Sequence, residues 1–478
     1  MNGVSLWLHK KTNFVIPLVI GAVSAVTHLL FFGQPRAVVF DETYFLHFVG
    51  NYGAGTYFFD IHPPLGKLIF LFFMELFGIT PTSQIGTIGE ALPQGLIFVR
   101  LIPIIAGLLL PLLIYYLARQ LKLSRTVSTL AALLICVENS ILVQSRFVLM
   151  DSLLILFGFL SLFLYLKYRD KQSTSRITPA VFVVLSAMSY AATMSIKWSG
   201  VFFIFPIIIM EIYYAVTSGR SLARKFSQFI STLCIYGFIS LVIYMSIFAI
   251  HFKLLPKSGP GDAFMSRRFQ EQLTGNPFSQ NKVSETQGFF GKFFELNAAM
   301  YDANQTLDKP HSYSSQFYTW PLMQRGIYYW TGAETTDPKV GQARIYLLGN
   351  PLVYWLGTIS ILTLLFYFAE AFIRRKVSAI PNKKTFVFII IAYLSNLVPF
   401  IFIGRVMFLY HYEAALVVSV LAFAYLVDRI DSYRLRVSVV ITVLVVSVLL
   451  YLFFAPLTYG LPLTGSAYNL RLWLPSWL

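Results

Sequence analysis

Residues 14–32 read FVIPLVIGAVSAVTHLLFF, a run without a single Asp, Glu, Lys or Arg. The hydrocarbon core of a bilayer is about 30 Å thick, and a helix of about twenty apolar residues is long enough to cross it. The run has no small-residue cleavage site of the kind that ends a signal peptide, and many similar runs follow it. It therefore predicts a retained transmembrane helix.

The composition of the whole chain supports the same interpretation. Its 478 residues are 57% hydrophobic, 17% aromatic and 12% charged, whereas about a quarter of the residues in a soluble protein are charged. Recurring apolar runs predict an all-α polytopic membrane protein with about eleven transmembrane helices. The predicted spans lie near residues 14–32, 96–118, 127–145, 151–168, 177–194, 199–217, 228–251, 349–373, 385–403, 411–427 and 437–457.

The net charge of +16 is explained by its distribution along the chain. With the N-terminus in the cytoplasm, the predicted cytoplasmic loops hold 20 of the 37 Lys and Arg residues. The short outside segments and the C-terminal tail hold four, namely Arg146, Lys197, Arg405 and Arg471. This asymmetry is the positive-inside rule, so the basic balance indicates membrane topology and a lipid bilayer as partner. A nucleic-acid partner is not expected.

Two long segments leave the membrane on the non-cytoplasmic side, and both interrupt what we predict to be one domain over residues 1–478. The first outer loop, residues 33–100, contains a short apolar run at 65–79 that is too short to span and predicts an interfacial or re-entrant helix. The second outer loop, residues 251–349, has an aromatic half at 311–330 that is expected to pack onto the helix bundle.

Ionisable side chains gather at the same predicted depth on this outer side. Asp41 and Glu42 follow the first span directly, and charged groups next to lipid are functional candidates by default. Each also has a purely structural interpretation as a helix cap, a snorkelling cation or an interhelical ion pair. Their shared depth favours a pocket that binds a lipid-linked phosphate while a hydroxyl acceptor reacts. The other members are Arg100, Glu138, Asn139, Arg146, Asp151, Lys197, Arg405 and His411.

Several motifs resemble those of the protein O-mannosyltransferase family, across most of the chain. They are Asp41-Glu42, the run from Phe59 to Lys67 with its His62-Pro63-Pro64-Leu65-Gly66-Lys67, Glu138-Asn139, the run from Gln144 to Ser152, Lys197-Trp198-Ser199-Gly200, His311-Ser312-Tyr313 with Trp320-Pro321-Leu322-Met323, and Gly404-Arg405 with His411-Tyr412. Three features depart from the family pattern. Tyr410 stands where a second histidine is common, Glu138 stands where an aspartate is common, and the second outer loop is too short for a MIR module. The last feature favours a prokaryotic type, in the plasma membrane with its active site on the outer face.

The resemblance implies a GT-C fold, a polyprenyl-phosphate mannose donor and inverting transfer to Ser/Thr hydroxyls of an acceptor protein. It also implies that Asp41 is the catalytic base, and Glu42 is then expected to orient the acceptor or a neighbouring cation. The candidates for binding the donor phosphate are His62, Arg100, Arg146, Lys197, Arg405 and His411. The candidates for supporting the acceptor or the site are Asp60, Glu138, Asn139 and Asp151. No metal or cofactor is expected, since the lipid-linked sugar is a substrate and the two cysteines, Cys136 and Cys234, fall inside predicted helices.

Two alternatives remain open at this point. A related lipid-linked sugar transferase acting on a glycolipid or a cell-wall polymer would carry much of the same chemistry. A transporter would also place charges in the membrane, but it predicts inverted repeats and a midplane site, and the sequence shows neither. The sequence leaves the oligomeric state open.

Overall fold

The computed structural model describes residues 3–171, 177–306, 311–333 and 341–477, with side chains described from Phe14 onward and not for 171–178. The cytoplasmic cations predicted at Lys10, Lys11, Lys171 and Arg176 therefore lie outside the described side chains.

The helices of the described part are α1 (Gly3–Leu29), α2 (Glu42–Ala54), α3 (Leu65–Leu76), α4 (Leu101–Gln120), α5 (Arg125–Cys136), α6 (Asn139–Ser145), α7 (Asp151–Lys171), α8 (Ile177–Ile196), α9 (Ile204–Thr217), α10 (Leu222–Leu254), α11 (Arg267–Gln270), α12 (Phe289–Thr306), α13 (Pro351–Ile373), α14 (Lys383–Ser395), α15 (Glu413–Val427), α16 (Tyr433–Tyr459) and α17 (Gly465–Asn469).

The predicted polytopic helical architecture is confirmed, although the count of eleven spans is not. Within the described residues, nine helical segments are long and apolar enough to cross a membrane, or ten if one bent pair is a single span. The first predicted span corresponds to α1, whose described apolar part, Phe14–Leu29, is shorter than the others. Short 3₁₀ turns extend several spans, as at Trp198–Phe203 before α9.

The predicted span at 127–145 is broken, because a carboxylate interrupts it. Helices α5 and α6 meet at an angle of 56°, and Glu138 between them is extended and fully buried. Its side chain accepts hydrogen bonds from the backbone N–H of Ser140 at 3.0 Å and of Asn350 at 3.0 Å. A buried carboxylate must be satisfied by hydrogen bonds, and here one donor is the Ser140 N–H that a continuous helix would have used, while the other comes from the N-cap residue of α13.

The first outer loop contains the predicted short helix as α3, preceded by α2, which the sequence reading did not place. Gly66, at the start of α3, packs directly on Met150, since a Cβ there would lie 2.3 Å from the Met150 sulfur. Lys67 is buried and pairs with Asp60. Exposed Phe72 and buried Phe70 show that α3 is apolar on more than one face, as expected of a helix lying against a bilayer.

The second outer loop and the segment after α16 together form a small antiparallel sheet that the all-α expectation missed. Its strands are β1 (Ile327–Thr331), β2 (Gln342–Leu347) and β3 (Pro462–Leu463), in the order β1-β2-β3. The signal for β1 was its aromatic and β-branched composition, which favours strands. The predicted packing of the aromatic half onto the bundle is confirmed, because Trp320 is fully buried and stacks on His411.

The two outer loops lie at one end of the bundle and contact each other. The backbone N–H of Tyr57 donates to the carbonyl of Lys257 at 2.8 Å, and the Asn304 amide donates to the carbonyl of Ile61 at 2.9 Å. At the other end, the loops predicted to be cytoplasmic meet, as when the backbone N–H of Ser124 donates to Asp428 at 3.1 Å. The long loops and the basic short loops are therefore at opposite ends.

Candidate active site

Asp41 is the N-cap residue of α2, and its carboxylate is left free for chemistry. The side chain is half-buried and makes no hydrogen bond within the described part of the chain. Burial raises the pKa of Asp41 to about 6, an effect that Lys197 opposes and Asp151 reinforces. At neutral pH the group is therefore ionised in most molecules while being a stronger base than an ordinary aspartate.

The backbone just before Asp41 is held in an uncommon conformation. Phe40 has a φ of 48°, in the left-handed region that non-glycine residues rarely adopt. Its ring stacks on Tyr329 of β1 with ring centroids 4.0 Å apart. Tyr329 of the second outer loop thus holds Phe40 in place. The strained backbone at Phe40 sets the direction of the next side chain, that of Asp41. Backbone strain of this kind persists only where the surroundings enforce it.

A cavity of about 500 Å³ lies between the outer loops and the bundle, and two of its lining residues, Lys197 and Arg405, act electrostatically on Asp41, which does not itself line it. We call it the loop-side pocket. Its lining combines four basic side chains with a larger set of apolar and aromatic ones. The first group is His62, Lys197, Arg405 and His411, and the second includes Met194, Trp198, Val201, Phe202, Phe400 and Ile403. Such a lining suits a ligand with an anionic group joined to a hydrocarbon chain.

Arg405 is the cation of this pocket whose charge is not neutralised by an ion pair with a carboxylate in the described part of the chain. It forms no ion pair within the described residues, and its buried Nε has no hydrogen-bond partner there. Its nearest polar neighbour is the His411 ring, with 3.5 Å between Arg405 Nη2 and His411 Nε2. A guanidinium in this state can offer a two-pronged donor to phosphate.

Lys197 is held by a chain of hydrogen bonds that runs from the second outer loop. The Tyr329 hydroxyl donates to Gln144 Oε1 at 2.6 Å, and the Gln144 amide donates to Asp151 at 2.7 Å. Asp151 in turn accepts from Lys197 Nζ at 2.8 Å through both oxygens. The ammonium also lies 5.3 Å from the ring of Tyr410. Lys197 is thus fixed in position and largely neutralised by Asp151.

His62 lies in the loop-side pocket as a neutral imidazole. Burial, with neighbouring Lys197 and Arg405, places the pKa of His62 well below its usual range. Its backbone N–H donates to Asp60 at 3.2 Å, and Asp60 also binds Lys67. The imidazole can therefore supply a hydrogen bond to a ligand but no positive charge, and Asp60 holds the loop that carries it.

Arg100 and Glu42 form a buried pair that does not reach the loop-side pocket. Arg100 is fully buried, with Nε donating to Glu42 at 2.8 Å and Nη2 at 2.6 Å. Its remaining contacts are the carbonyls of Pro35 and Ala37, each at 2.7 Å. Glu42 also accepts from the backbone N–H of Val148 at 3.1 Å. In this arrangement Glu42 orients a neighbouring cation, one of the two roles predicted for it, and these contacts favour a structural role for Arg100, whose predicted phosphate contact stays a prediction.

Arg146 also makes structural contacts, with backbone carbonyls after α1, and its predicted phosphate contact stays a prediction. Its guanidinium donates to the carbonyl of Leu30 at 2.6 Å and to that of Phe31 at 2.9 Å. It lies 4.6 Å from the ring of Tyr459. These carbonyls follow the end of α1, where a cation is stabilising. Within the described residues Arg146 forms no ion pair with Asp151, which binds Lys197 and Gln144 instead.

Glu138 and Asn139 were predicted to support the site, and the structure places them at the break between α5 and α6. The Asn139 amide donates to the Thr458 hydroxyl at 2.7 Å, and Glu138 holds the start of α13 through Asn350. Neither residue lines the loop-side pocket. They join helices, because each satisfies a buried backbone or hydroxyl group of a distant segment.

Tyr329 was not predicted as a site residue, because it belongs to none of the motifs. The only signal in the sequence was its position in an aromatic segment. Asn304, which was not predicted as a site residue, also lines the pocket and donates a hydrogen bond to the first outer loop. Among the described residues, no group of three or more His, Cys, Asp or Glu side chains is arranged to hold a metal ion.

Comparison with solved structures defines the class of the fold. The chain superposes on a chain of the S. cerevisiae protein O-mannosyltransferase Pmt1-Pmt2 complex bound to the sugar donor, with a TM-score of 0.87 over 97% of this chain and 92% of that one. At 19% sequence identity this likeness shows the fold alone. The fold and the polar pocket at one end of the bundle thus define a multi-pass membrane protein of the GT-C class.

Sequence comparison then gives the family. Residues 18–256 match the model described as dolichyl-phosphate-mannose-protein mannosyltransferase, and residues 289–477 match the C-terminal four-transmembrane region of protein-O-mannosyltransferase. The chain belongs to the protein O-mannosyltransferase family.

Two curated relatives are similar over part of their length. Dolichyl-phosphate-mannose–protein mannosyltransferase 4 of Candida albicans is 30% identical over 296 residues, covering 56% of this chain and 39% of the relative. Protein O-mannosyltransferase 1 of Drosophila melanogaster is 32% identical over 284 residues, covering 56% of this chain and 32% of the relative. The matches therefore span only about a third of the length of these relatives.

Proposed function

We propose that this chain transfers mannose from a polyprenyl-phosphate carrier to Ser or Thr hydroxyls of acceptor proteins. The observation that carries the proposal is the half-buried carboxylate of Asp41, which lies within electrostatic reach of Lys197 and Arg405 in a lipid-sized pocket, where Arg405 forms no ion pair within the described residues. Family membership and the printed names of the relatives, which include dolichyl-phosphate mannose and protein mannosyl transfer, support the same donor and acceptor classes.

The reaction follows from the protonation state of Asp41. A hydroxyl is a poor nucleophile at neutral pH, so Asp41 accepts its proton while the hydroxyl oxygen attacks C1 of mannose. The bond between C1 and the phosphate oxygen breaks in the same step, and the electron pair leaves with the lipid phosphate. One displacement inverts the configuration at C1 and needs no covalent enzyme intermediate.

The departing phosphate gains negative charge, which must be stabilised by groups already in place. Arg405 supplies an uncompensated positive charge, and His62 and His411 add ring nitrogens to the same pocket. Lys197 lies nearby, but Asp151 offsets its charge. The apolar part of the pocket receives the first units of the polyprenyl chain. We place the reaction on the non-cytoplasmic face, because the basic loops gather at the opposite end of the bundle. The short second outer loop, which has no room for a MIR module, supports placing the protein in a prokaryotic plasma membrane.

Transfer to protein is tested with purified chain, polyprenyl-phosphate mannose and a Ser/Thr-containing peptide. A matched peptide with every Ser and Thr replaced by Ala serves as the control, and a glycolipid acceptor forms a third arm. Mass spectrometry should find one hexose added to the hydroxyl peptide alone. Hexose on the glycolipid and none on the peptide would instead establish the related lipid-modifying activity.

The pH dependence of transfer should report the titration of Asp41. Because its pKa is raised to about 6, the base is protonated and inactive at low pH and ionised at higher pH. We expect kcat/KM to rise through about pH 6 and then level off, and to fall about tenfold for each unit of pH below that point. The measurement is kcat/KM from pH 4.5 to 8 at constant ionic strength. A rate that is flat down to pH 4.5 would exclude a base of this pKa.

Replacement of Arg405 should weaken donor binding. Arg405→Ala removes a charge-assisted hydrogen bond to phosphate, for which a loss of about 1.5–3 kcal/mol, or roughly 10- to 100-fold in affinity, is typical. Arg405→Lys should recover only part of it, because lysine has no planar fork. Affinity for polyprenyl phosphate is the measurement, with Arg471→Ala as the matched control, since Arg471 binds the backbone carbonyls of Phe453 and Ala467. Equal affinities in wild type and Arg405→Ala would remove Arg405 from the phosphate site.

A further inference from the structure

A second polar cavity lies at the end of the bundle opposite the loop-side pocket, where α7 and α9 end and α10 begins. Its volume is about 270 Å³, and we call it the basal cavity. The residues that carry charge or hydrogen-bonding groups into it include Arg169, Glu211, Tyr214, Arg220 and Lys225. None of them takes part in the proposed transfer reaction, because α7 and α9 carry them to the far end of the bundle.

The charges of the basal cavity do not cancel. Glu211 is buried and is already occupied by Arg169 at 3.1 Å and by the Tyr165 hydroxyl at 2.8 Å. Arg220 and Lys225 form no ion pair with a carboxylate in the described part of the chain; Arg220 donates to the Gln228 amide oxygen at 2.6 Å. The cavity therefore keeps an excess of two positive charges.

Buried hydrogen-bonding groups in the basal cavity also lack partners. The Arg169 side chain is only 8% exposed, yet its Nε makes no hydrogen bond within the described residues. The same holds for the buried hydroxyl of Tyr214, whose ring lies 3.9 Å from the Arg169 guanidinium. Buried polar groups without partners are uncommon in native proteins, and here both border one cavity. They are suited to an acceptor-rich ligand.

The N-terminus of α10 is a third feature that favours a negatively charged ligand. The N-cap residue, Ser221, makes no side-chain cap hydrogen bond, so the first backbone N–H groups of this 33-residue helix remain available. The N-terminus of a helix favours an anion, and phosphate is a common ligand there. The cavity therefore brings together two cations without a carboxylate partner in the described part of the chain and two buried donors without acceptors there, close to the N-terminus of α10.

The surroundings of the basal cavity are apolar and exposed. Val216 at the end of α9 is 75% exposed, and Leu222 and Phe226 at the start of α10 are 82% and 65% exposed. Exposed side chains of this kind are expected to contact hydrocarbon in a chain that spans a membrane. A ligand in the cavity would therefore lie next to the hydrocarbon region of the bilayer, which favours a lipid with acyl chains over a free ion.

We propose that the basal cavity binds the phosphate headgroup of an anionic lipid in the leaflet opposite the active site. A phosphate monoester is the chemistry that matches the cations, the orphan donors and the helix N-terminus together. The same chemistry is present in free inorganic phosphate, so the two sources must be separated by experiment. The site is independent of the proposed mannosyl transfer.

The test is thermal denaturation of the purified full chain in detergent with added phosphatidic acid, phosphatidylcholine or inorganic phosphate. Phosphatidic acid should raise the melting temperature in a saturable manner and phosphatidylcholine should not. The double variant Arg220→Gln/Lys225→Gln should raise the half-saturating concentration of phosphatidic acid about tenfold or more. Arg224→Gln is the matched control, since this exposed residue on the same helix turn does not line the cavity, and it should respond like wild type.

A second variant keeps the test decisive if the double variant does not fold. Tyr214→Phe removes only the orphan hydroxyl, so it should leave the melting temperature without lipid unchanged and weaken the response to phosphatidic acid by a few fold. Saturation by millimolar inorganic phosphate, with no added effect of the lipid, would keep the phosphate site but assign it a soluble ligand. Equal loss of the lipid response in Arg224→Gln and the double variant would overturn the proposal, as would equal responses to phosphatidic acid and phosphatidylcholine.

Discussion

Asp41→Asn should lower the rate of mannose transfer by about 10²- to 10⁴-fold, the range typical for loss of a general base. The amide has nearly the same size as the carboxylate but cannot accept the proton of the acceptor hydroxyl. Because the Asp41 side chain makes no hydrogen bond in the described part of the chain, the substitution breaks no contact and should leave stability unchanged. Affinity for the donor should change little, since Arg405 and not Asp41 is placed to hold phosphate.

The measurement is single-turnover transfer to a Ser/Thr peptide at saturating donor, together with the melting temperature of each variant. Asp302→Asn is the matched control, because it is the same substitution at an exposed position of the second outer loop, and it should retain the wild-type rate. Near-normal transfer by folded Asp41→Asn would show that another group accepts the proton. The pH profile of that variant should also lose its inflection near 6.

Arg100→Ala should destabilise the fold by about 3–5 kcal/mol, as is typical when one partner of a buried ion pair is removed. Glu42 would be left fully buried with no cation, and the carbonyls of Pro35 and Ala37 would lose their donor. These contacts hold the turn that precedes Asp41, so loss of activity is expected as a secondary result. Donor affinity of the molecules that remain folded should be close to that of wild type.

The two readouts separate this structural role from the phosphate contact that the sequence suggested. Thermal denaturation in detergent measures stability, and binding of polyprenyl phosphate below the melting temperature measures donor affinity. Glu42→Gln/Arg100→Met, which removes both charges, should recover part of the lost stability. A specific loss of donor affinity with an unchanged melting temperature in Arg100→Ala would restore Arg100 to the phosphate site.

The helical part of the fold was predictable because hydropathy over about twenty residues reports membrane spans directly. The break near Glu138 was not predicted, although a carboxylate inside an apolar run was a visible sign of it. The strand at Ile327–Thr331 was also missed, since its aromatic residues equally suit a membrane surface. Asp41 was identified from its place in a motif, and its position supports that choice.

The roles of the cations could not be ranked from the sequence, because Arg100, Lys197 and Arg405 occur at the same predicted depth. Their partners separate them. Arg100 pairs with Glu42, 58 positions away, and Lys197 pairs with Asp151, 46 positions away. Pairings over such separations depend on how the helices pack, which hydropathy does not encode. Arg405 can be distinguished as a phosphate-binding candidate only when the structure shows that Arg100 and Lys197 each pair with a carboxylate.

The most direct test of the loop-side pocket as the donor site is a cryo-EM structure of the purified chain with polyprenyl-phosphate mannose. We expect the phosphate within about 3 Å of the Arg405 guanidinium, at hydrogen-bonding distance, with the polyprenyl chain along Phe202 and Phe400 and the mannose between the phosphate and Asp41. Density for the donor elsewhere on the molecule, with this pocket empty at saturating donor, would contradict the assignment of both the pocket and the catalytic base.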